Sequence, residues 1–222
     1  LVGANLRGAE MVGSNFSSSD FSRADIRGAE ISGANFTGAV FADAQMTGVE
    51  ASGSVFSRAN LSRANLSSAE LNGANLNGAN LSGANFSSAE MFGTTLANVN
   101  ARGAQFRNAE MAASNMGSGD FSGADFRNAT LDNARFTRGA FGRANFSGAS
   151  LRRTDIRGVD LSNAQGLSQS QIGEACADET TRLPRGLQPG ACRSRTVIRI
   201  TPPRPPAPPV PPVSRQLILA QD

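Results

Sequence analysis

Six glutamates recur at intervals of twenty residues and form the most regular set of groups in the chain that could do chemistry. They are Glu10, Glu30, Glu50, Glu70, Glu90 and Glu110. A row of carboxylates could bind a cation or a basic partner, or could supply a general acid and a general base. An acid and base pair needs two carboxyl groups in different environments, whereas a repeat gives every member the same environment. We therefore expect an exposed row of charges, and no catalytic, cofactor-binding or metal-ligating residue is predicted.

The composition excludes most other kinds of catalysis. The 222-residue chain has no His, Trp or Tyr, and all 21 of its basic residues are Arg. Without an imidazole or a lysine amine there can be no serine-type triad, no His-ligated zinc and no Schiff base. No stretch approaches the roughly 18 apolar residues of a membrane span. These absences favour a protein that is not an enzyme.

The elements that position the glutamates follow a period of five residues. From Leu1 to Leu161 every fifth residue is large and apolar apart from Ala51 and Ala101, and this register contains twelve of the 13 Phe and all five Met. The residue two positions earlier is small. A period of five matches neither the 3.6 of a helix nor the 2 of a strand. It suits a chain that turns a corner in every unit, and the glutamate interval indicates four units per coil.

These units resemble the pentapeptide-repeat family, whose unit is a small residue, Asp or Asn, Leu or Phe, a small polar residue and often Gly. Residues 59–63 (Ala-Asn-Leu-Ser-Arg) and 74–78 (Ala-Asn-Leu-Asn-Gly) are examples. The resemblance covers residues 1–165 and implies an all-β fold, a right-handed, four-sided β-solenoid of about eight coils. At about 4.8 Å per coil the rod would be about 40 Å long. Such a core is filled with side chains and leaves no ligand cavity.

Residues 166–195 are expected to form a helical cap on the carboxyl end of this solenoid. Ser168 has the position of an N-cap, and Gln171 completes a capping box three residues later. The helix is expected to run to about Ala177. The segment is similar to the closing segment of many bacterial pentapeptide-repeat proteins. No matching segment precedes Leu1, so we expect the first coil to be covered by further residues or by a partner. The partners considered for the chain include a second copy of itself, as a homodimer.

The chain has two cysteines, Cys176 and Cys192, and both lie in this closing segment. A disulfide between them would close a loop of about 17 residues, worth roughly 3 kcal/mol. The alternative is two free buried thiols. Two cysteines without histidine cannot complete a tetrahedral metal site. Because a stable disulfide requires an oxidising compartment, we expect a periplasmic or otherwise extracytoplasmic location, with the cytoplasm as the alternative.

Residues 196–222 form a proline-rich extended tail. Eight of the ten prolines lie between Pro202 and Pro212. Their period of three matches polyproline II and predicts a segment about 34 Å long. The tail is either a semi-rigid spacer or an arm that docks onto a partner. Its candidate contact residues are Arg204, Val210, Leu217, Ile218 and Leu219.

Charge is distributed unevenly along the repeats. Residues 1–126 carry 7 Arg and 11 acidic residues, whereas residues 127–165 carry 7 Arg and 3 acidic residues. The repeats are therefore neutral overall and lack the DNA-like charge with which some family members bind DNA gyrase. Without Lys or a uniformly basic face, no direct nucleic-acid binding is expected. Arg7, Arg27 and Arg107 each precede a glutamate of the row by three residues and could offset part of the repulsion within it.

Departures from the repeat mark candidate partner contacts. Phe92 occupies an outward position that is usually polar, and Val40 and Val55 replace other outward polar residues. We predict a non-enzymatic scaffold that is docked through its tail to a multi-subunit envelope or periplasmic assembly. It would have no transmembrane segment of its own but could associate with a membrane complex. A DNA gyrase-binding protein is the alternative.

Overall fold

The structure is a computed structural model and describes residues 1–190. Residues 1–165 wind into a β-solenoid in which each coil takes 20 residues. The residue before each inward large side chain pairs in a parallel β-bridge with the residue 20 positions later, as Asn5 does with Asp25 and Asn85 with Gln105. Within residues 1–190 these bridges are single-residue pairs and no longer strand occurs. The pairing confirms four units per coil.

Each unit ends in a tight turn that makes a corner. The N–H of Ala4 donates to the carbonyl of Leu1 over 3.0 Å, and Gly3 between them has a φ of 63°. A positive φ at this point of the turn fits a type II geometry. Other residues also adopt it at the same register, as Arg58 (57°) and Ala113 (59°) show. Because the left-handed region costs an L-residue about 1–2 kcal/mol, Gly is the favoured residue here.

The corners divide the solenoid into four faces, which are numbered by the first unit on each. Face one contains the units centred on residues 1, 21, 41 and so on, face two those on 6, 26 and 46, face three those on 11, 31 and 51, and face four those on 16, 36 and 56. Backbone hydrogen bonds join successive coils on every face. On face one, for example, the N–H of Phe21 donates to Val40 O over 2.7 Å. Stacked coils therefore satisfy the backbone groups of the interior coils.

The core consists of the large apolar residues, stacked coil on coil. On face two the rings of Phe86, Phe106, Phe126 and Phe146 are fully buried and form parallel stacks with centroids 5.0 to 5.2 Å apart. This spacing follows from the roughly 4.8 Å between neighbouring strands. The small residues, mainly Ala, are buried beside them. The interior of the described solenoid is thus occupied by side chains.

The bridge pattern is interrupted once near the carboxyl end of face one. Ala140 pairs with Asp120, and Asp160 pairs with Arg182, but Ala140 and Asp160 do not pair with each other. The small inward residue here is Gly139, which lacks the methyl group that Ala supplies elsewhere. Bridges on the other three faces still join these two coils. The interruption is therefore local.

The one helix among the described residues, α1, spans Gln169–Glu174. Ser168 is its N-cap and forms a capping box with Gln171, and Ile172 is fully buried. The helix ends three residues before the expected Ala177. The reason is that the chain returns to the solenoid: Ala175 is extended, and the N–H of Cys176 donates to Thr154 O over 2.8 Å.

The segment after residue 165 lies on the end of the last coil. Gln165 pairs with Asn145 on face two and Cys176 pairs with Asp155 on face four, so α1 occupies the intervening position above face three. There the N–H of Arg153 donates to Glu174 O over 2.8 Å. No helix within residues 1–190 is long and apolar enough to cross a membrane. The predicted contacts at Arg204, Val210, Leu217, Ile218 and Leu219 lie outside the described residues.

Candidate interaction surface

The six glutamates lie in one row on face three. Each pairs through its backbone with the next, from Glu10 with Glu30 to Glu90 with Glu110, and all six side chains are exposed. At about 4.8 Å per coil the row is about 24 Å long. We call the six units that carry it, residues 9–13, 29–33, 49–53, 69–73, 89–93 and 109–113, the glutamate face. The predicted placement of these residues on one face is confirmed.

The arginines that were expected to neutralise the row pair with aspartates instead. Arg7 and Arg27 both contact Asp25, and Arg107 reaches Asp125 with an N–O distance of 2.6 Å. That prediction was wrong because these aspartates lie on the arginines' own face, either in the same unit or directly across the coil interface. A glutamate three residues later lies around a corner. Within residues 1–190 no ion pair involves a glutamate of the row.

The aspartate pairs change the acid–base behaviour of the faces that carry them. Although burial raises the pKa of Asp125, hydrogen bonds from Arg127 and Arg107 outweigh that effect and lower the pKa to about 2. The hydrogen bond from Arg27 chiefly lowers the pKa of Asp25, also to about 2. Exposed pairs of this kind contribute little stability individually. Within the repeats, face one carries four Arg and four Asp and face two carries four Arg and two Asp, whereas face three carries six Glu, one Asp and two Arg.

Asparagines occupy the bridge position in several coils of faces one and two and bond to one another from coil to coil. The side-chain amide of Asn80 donates to Asn60 Oδ1 over 3.2 Å, and that of Asn100 donates to Asn80 Oδ1 over 3.3 Å. On face two Asn85 donates to Asn65 in the same way. Carboxylates cannot donate such bonds when ionised. The glutamate face therefore forgoes a stabilising ladder that the same backbone position supports elsewhere.

Phe92 lies within the glutamate face and is its most exposed apolar residue. Its side chain is 61% exposed. Asn72 joins it to the row: the N–H of Phe92 donates to Asn72 Oδ1 over 2.9 Å, and the Asn72 amide donates to Glu90 Oε2 over 3.2 Å. Val12, which is 60% exposed, occupies the same turn position four coils earlier. The sequence analysis missed Val12, although its spacing of 80 residues from Phe92 was a usable signal.

The other candidate contact residues are not brought to this surface. Val40 lies on face one and Val55 on face four, and both are half-buried. Cys176 is half-buried on the closing segment, whereas Cys192 lies outside the described residues, so the disulfide stays a prediction. The surface thus consists of one carboxylate row with Phe92 and Val12 on its turn.

The chemistry available to this surface is recognition. The six carboxylates occupy the same position of the repeat and are all exposed, and Glu90 also accepts a hydrogen bond from the Asn72 amide. In the part of the chain that the structure describes, no cluster of three or more His, Cys, Asp or Glu side chains is arranged to hold a metal ion. An exposed anionic row flanked by apolar side chains can attract a cationic, partly apolar partner.

The five-residue turns, the single-residue bridges and the 20-residue coil define a repeat protein of the β-solenoid class. The family model of pentapeptide repeats matches residues 1–38, 19–58, 59–96, 89–128 and 129–165, with eight copies. The chain belongs to the pentapeptide-repeat family. A comparison with curated protein sequences found no match.

The chain is also similar to several solved structures. One is HetL, a pentapeptide-repeat protein involved in heterocyst differentiation regulation in the cyanobacterium Nostoc sp. strain PCC 7120, with 27% identity and a TM-score of 0.54 over 85% of this chain and 86% of HetL. Another is full-length QnrB1, a plasmid-mediated fluoroquinolone resistance protein, with 21% identity and a TM-score of 0.38 over 84% of this chain and 90% of QnrB1. A third is Rfr23 from the cyanobacterium Cyanothece 51142, with 18% identity and a TM-score of 0.26 over 78% of this chain and 90% of Rfr23.

Proposed function

We propose that the chain is a non-enzymatic interaction protein, a rigid scaffold that is docked through its proline-rich tail to a larger extracytoplasmic assembly. The observation that carries the proposal is the filled core, in which inward residues such as Phe106 and Phe126 are fully buried and stacked. Substrate sites are concave pockets with a few convergent polar groups. In this rod the distinctive chemical groups are on the outside, where they can meet a protein partner.

The location outside the cytoplasm is supported by the two cysteines. Cys176 lies on the closing segment, and Cys192 follows 16 residues later, within reach of a loop-closing bond. Thiol counting on the native and the denatured protein, purified without reductant, tests this part. Two reactive thiols in the denatured chain would contradict an oxidising compartment.

The test of docking is a pull-down from source cells, with the intact chain compared with a chain that ends at Arg195. The shortened chain keeps both cysteines and lacks the tail. Recovery of one envelope complex by the intact chain, and its loss on truncation, supports docking. A matched control keeps the tail but scrambles its order. Recovery of the same partner by both chains would contradict a docking role for the tail and assign binding to the rod.

Binding to DNA gyrase is the second candidate, and the glutamate face favours it. A carboxylate row about 24 Å long gives one acidic stripe on a rod that is neutral overall. A supercoiling assay with purified gyrase tests this directly. Inhibition by the rod, abolished by Glu→Gln changes in the row, would support gyrase binding in place of the envelope assembly.

A further inference from the structure

The glutamate face is unlike the other surfaces of the rod because it contains no basic residue. Its six units hold six Glu and neither Arg nor Asp. All 7 Arg of residues 1–126 lie on the other three faces, and several of them are paired with Asp, as Arg63 is with Asp43 and Arg102 with Asp120. The negative charge of this part of the rod is therefore concentrated on one side.

This concentration is unfavourable for the rod alone. Neighbouring glutamates are directly opposite each other in adjacent coils, an arrangement in which like charges destabilise a sheet. The asparagine ladder on face one shows that an amide at this backbone position gains a hydrogen bond instead. A row of carboxylates with exposed Val12 and Phe92 beside it is complementary to a partner that carries positive charge and apolar groups.

The chain itself leaves the described structure at the end of this face. Helix α1 lies above the last coil of face three. Gly190, the last described residue, is packed on that helix: a Cβ on Gly190 would lie 2.7 Å from Ile172 O and 3.0 Å from Gly173 Cα. The residues that follow Gly190 therefore begin at the carboxyl end of face three, where two units with Asp132, Arg152 and Arg153 precede the glutamate face.

The sequence after Gly190 has the complementary chemistry. The tail, residues 196–222, contains three Arg and one Asp, and the apolar run Leu217, Ile218 and Leu219 lies near its end. Proline-rich segments are recognised by surfaces that present aromatic side chains, and Phe92 is an exposed aromatic residue of the glutamate face. The segment thus offers cations for the glutamate row and prolines for Phe92.

The chain after Gly190 is long enough to follow the face. Eight coils separate α1 from Glu10, which is about 38 Å along the rod at about 4.8 Å per coil, and Phe92 lies midway, about 19 Å from α1. Residues 191–201 precede the proline run, and the run from Pro202 to Pro212 is itself expected to span about 34 Å. The tail can therefore reach every coil that carries a glutamate.

We propose that the tail, residues 196–222, lies along the glutamate face of its own solenoid, with its arginines over the carboxylate row and its prolines against Phe92. Tethering gives the tail an effective concentration in the millimolar range, so a weak contact suffices. A docking partner of the tail would have to displace it from the rod. The inference does not rest on the proposed function, because it concerns the isolated chain.

The experiment uses a synthetic peptide of residues 196–222 as the probe. Isothermal titration calorimetry measures its binding to two proteins, the intact chain and the chain that ends at Arg195. The shortened chain should bind the peptide, and raising the salt from 50 to 500 mM should weaken binding at least tenfold, because the contact is between exposed charges. The intact chain should bind it at least tenfold more weakly, since its own tail occupies the face. Equal binding to both proteins, or no binding to the shortened chain, overturns the proposal.

Matched variants of the shortened chain identify the face. The triple change Glu70→Gln, Glu90→Gln and Glu110→Gln should weaken peptide binding at least tenfold. The control removes the same charge from face one through Asp20→Asn, Asp43→Asn and Asp120→Asn, and should change binding less than threefold. Equal losses in the two triples overturn the assignment to face three.

Two further measurements separate this contact from others. Phe92→Ser should weaken peptide binding without altering the circular dichroism spectrum, because the side chain is exposed. Sedimentation of the intact chain should give a monomer whose amide resonances on the glutamate face differ from those of the shortened chain. A dimer that dissociates on truncation would mean that the tail binds a second copy, which contradicts the intramolecular contact.

Discussion

Replacement of Ser114 by alanine should stabilise the solenoid, although it removes a polar group from a polar-rich repeat. Ser114 is the small inward residue of its unit on face four and is 1% exposed. Its hydroxyl is the one buried side-chain polar atom among residues 1–190 without a hydrogen-bond partner. Alanine already occupies the equivalent position at Ala34 and Ala134, where it is buried. The change therefore fits the core without a new cavity.

The reason for the unpartnered hydroxyl lies in the preceding coil. Ser54 donates to Ile31 O over 2.7 Å, a carbonyl 23 residues earlier, and the same register would direct Ser114 to Met91 O. That carbonyl already accepts from the N–H of Thr94 over 3.2 Å and lies 2.7 Å from its hydroxyl. The Thr94 hydroxyl, which also lies 3.1 Å from Leu71 O, is thus placed with the Thr94 N–H where it blocks Met91 O from Ser114.

The magnitudes follow from these contacts. An unpartnered buried polar group costs about 1–3 kcal/mol, so Ser114→Ala should raise the free energy of unfolding by about 1 kcal/mol or more. Ser54→Ala removes a satisfied hydrogen bond and should lower it by about 1 kcal/mol. Ile31 O would still accept from the N–H of Ala34 over 3.0 Å. The two variants share a face and a register, so they are matched in everything except the hydrogen bond.

Urea unfolding followed by circular dichroism measures both changes, with the slope of the transition as a check that the surface exposed on unfolding is unaltered. A double-mutant cycle with Thr94→Val tests the cause. In that background Met91 O is free to accept from Ser114, so Ser114→Ala should no longer stabilise. If Ser114→Ala and Ser54→Ala destabilise equally in the wild-type background, the hydroxyl has a partner and the reasoning is refuted.

Three further predictions concern charge, backbone and covalent structure. Because the pKa of Asp125 is lowered to about 2 in the folded protein, its ion pair stabilises the fold fully above about pH 4 and progressively less as the pH falls toward 2. The urea midpoints of Asp125→Asn should therefore depend less on pH in that range than those of the wild type. Gly33→Ala should lower the free energy of unfolding by about 1 kcal/mol, because Gly33 has a φ of 66° and the added methyl would have no atom within 4 Å to contact. Ala113→Gly should raise it by somewhat less. Melting temperatures that fall in both variants would contradict this. The predicted disulfide between Cys176 and Cys192 would make the melting temperature fall on reduction, and the double change Cys176→Ser and Cys192→Ser should abolish that dependence; a wild-type melting temperature that is the same with and without reductant would contradict the disulfide.

The fold could be predicted from the sequence because every five-residue unit repeats the same pattern of small, polar and large apolar residues. The large residue at every fifth position gives the corner, and the glutamate interval gives the number of corners per coil. Both signals are local or strictly periodic, so no long-range information was needed. The start of α1 was predictable for the same reason, since Ser168 and Gln171 form their capping box within four residues. The end of α1 was not predictable from local sequence, because it depends on the pairing of Cys176 with Asp155 in the preceding coil.

The pairing of charges could not be predicted from spacing along the chain alone. Arg107 is three residues from Glu110 and 18 residues from Asp125, yet it pairs with the aspartate. In a coil of 20 residues a separation of 18 means direct proximity across the coil interface, whereas a separation of three crosses a corner. Sequence distance becomes informative about contacts only after the coil period is applied to it. The same step would have placed Val12 at the same turn position of face three as Phe92, four coils away.

The glutamate row is expected to lower the stability of the rod while it provides a binding surface. Glu70, Glu90 and Glu110 occupy a backbone position at which Asn80 and Asn100 form an amide ladder, and nothing in the unit itself requires a carboxylate. The change of these three glutamates to glutamine should therefore make the shortened rod more stable to urea, because repulsion is removed and amide donors are added. The same change should weaken binding of the tail peptide. A purely structural row would give only the first effect, and a row that stabilises the rod through unseen ions would reverse its sign. Opposite effects on stability and on binding are the outcome that marks face three as a binding surface.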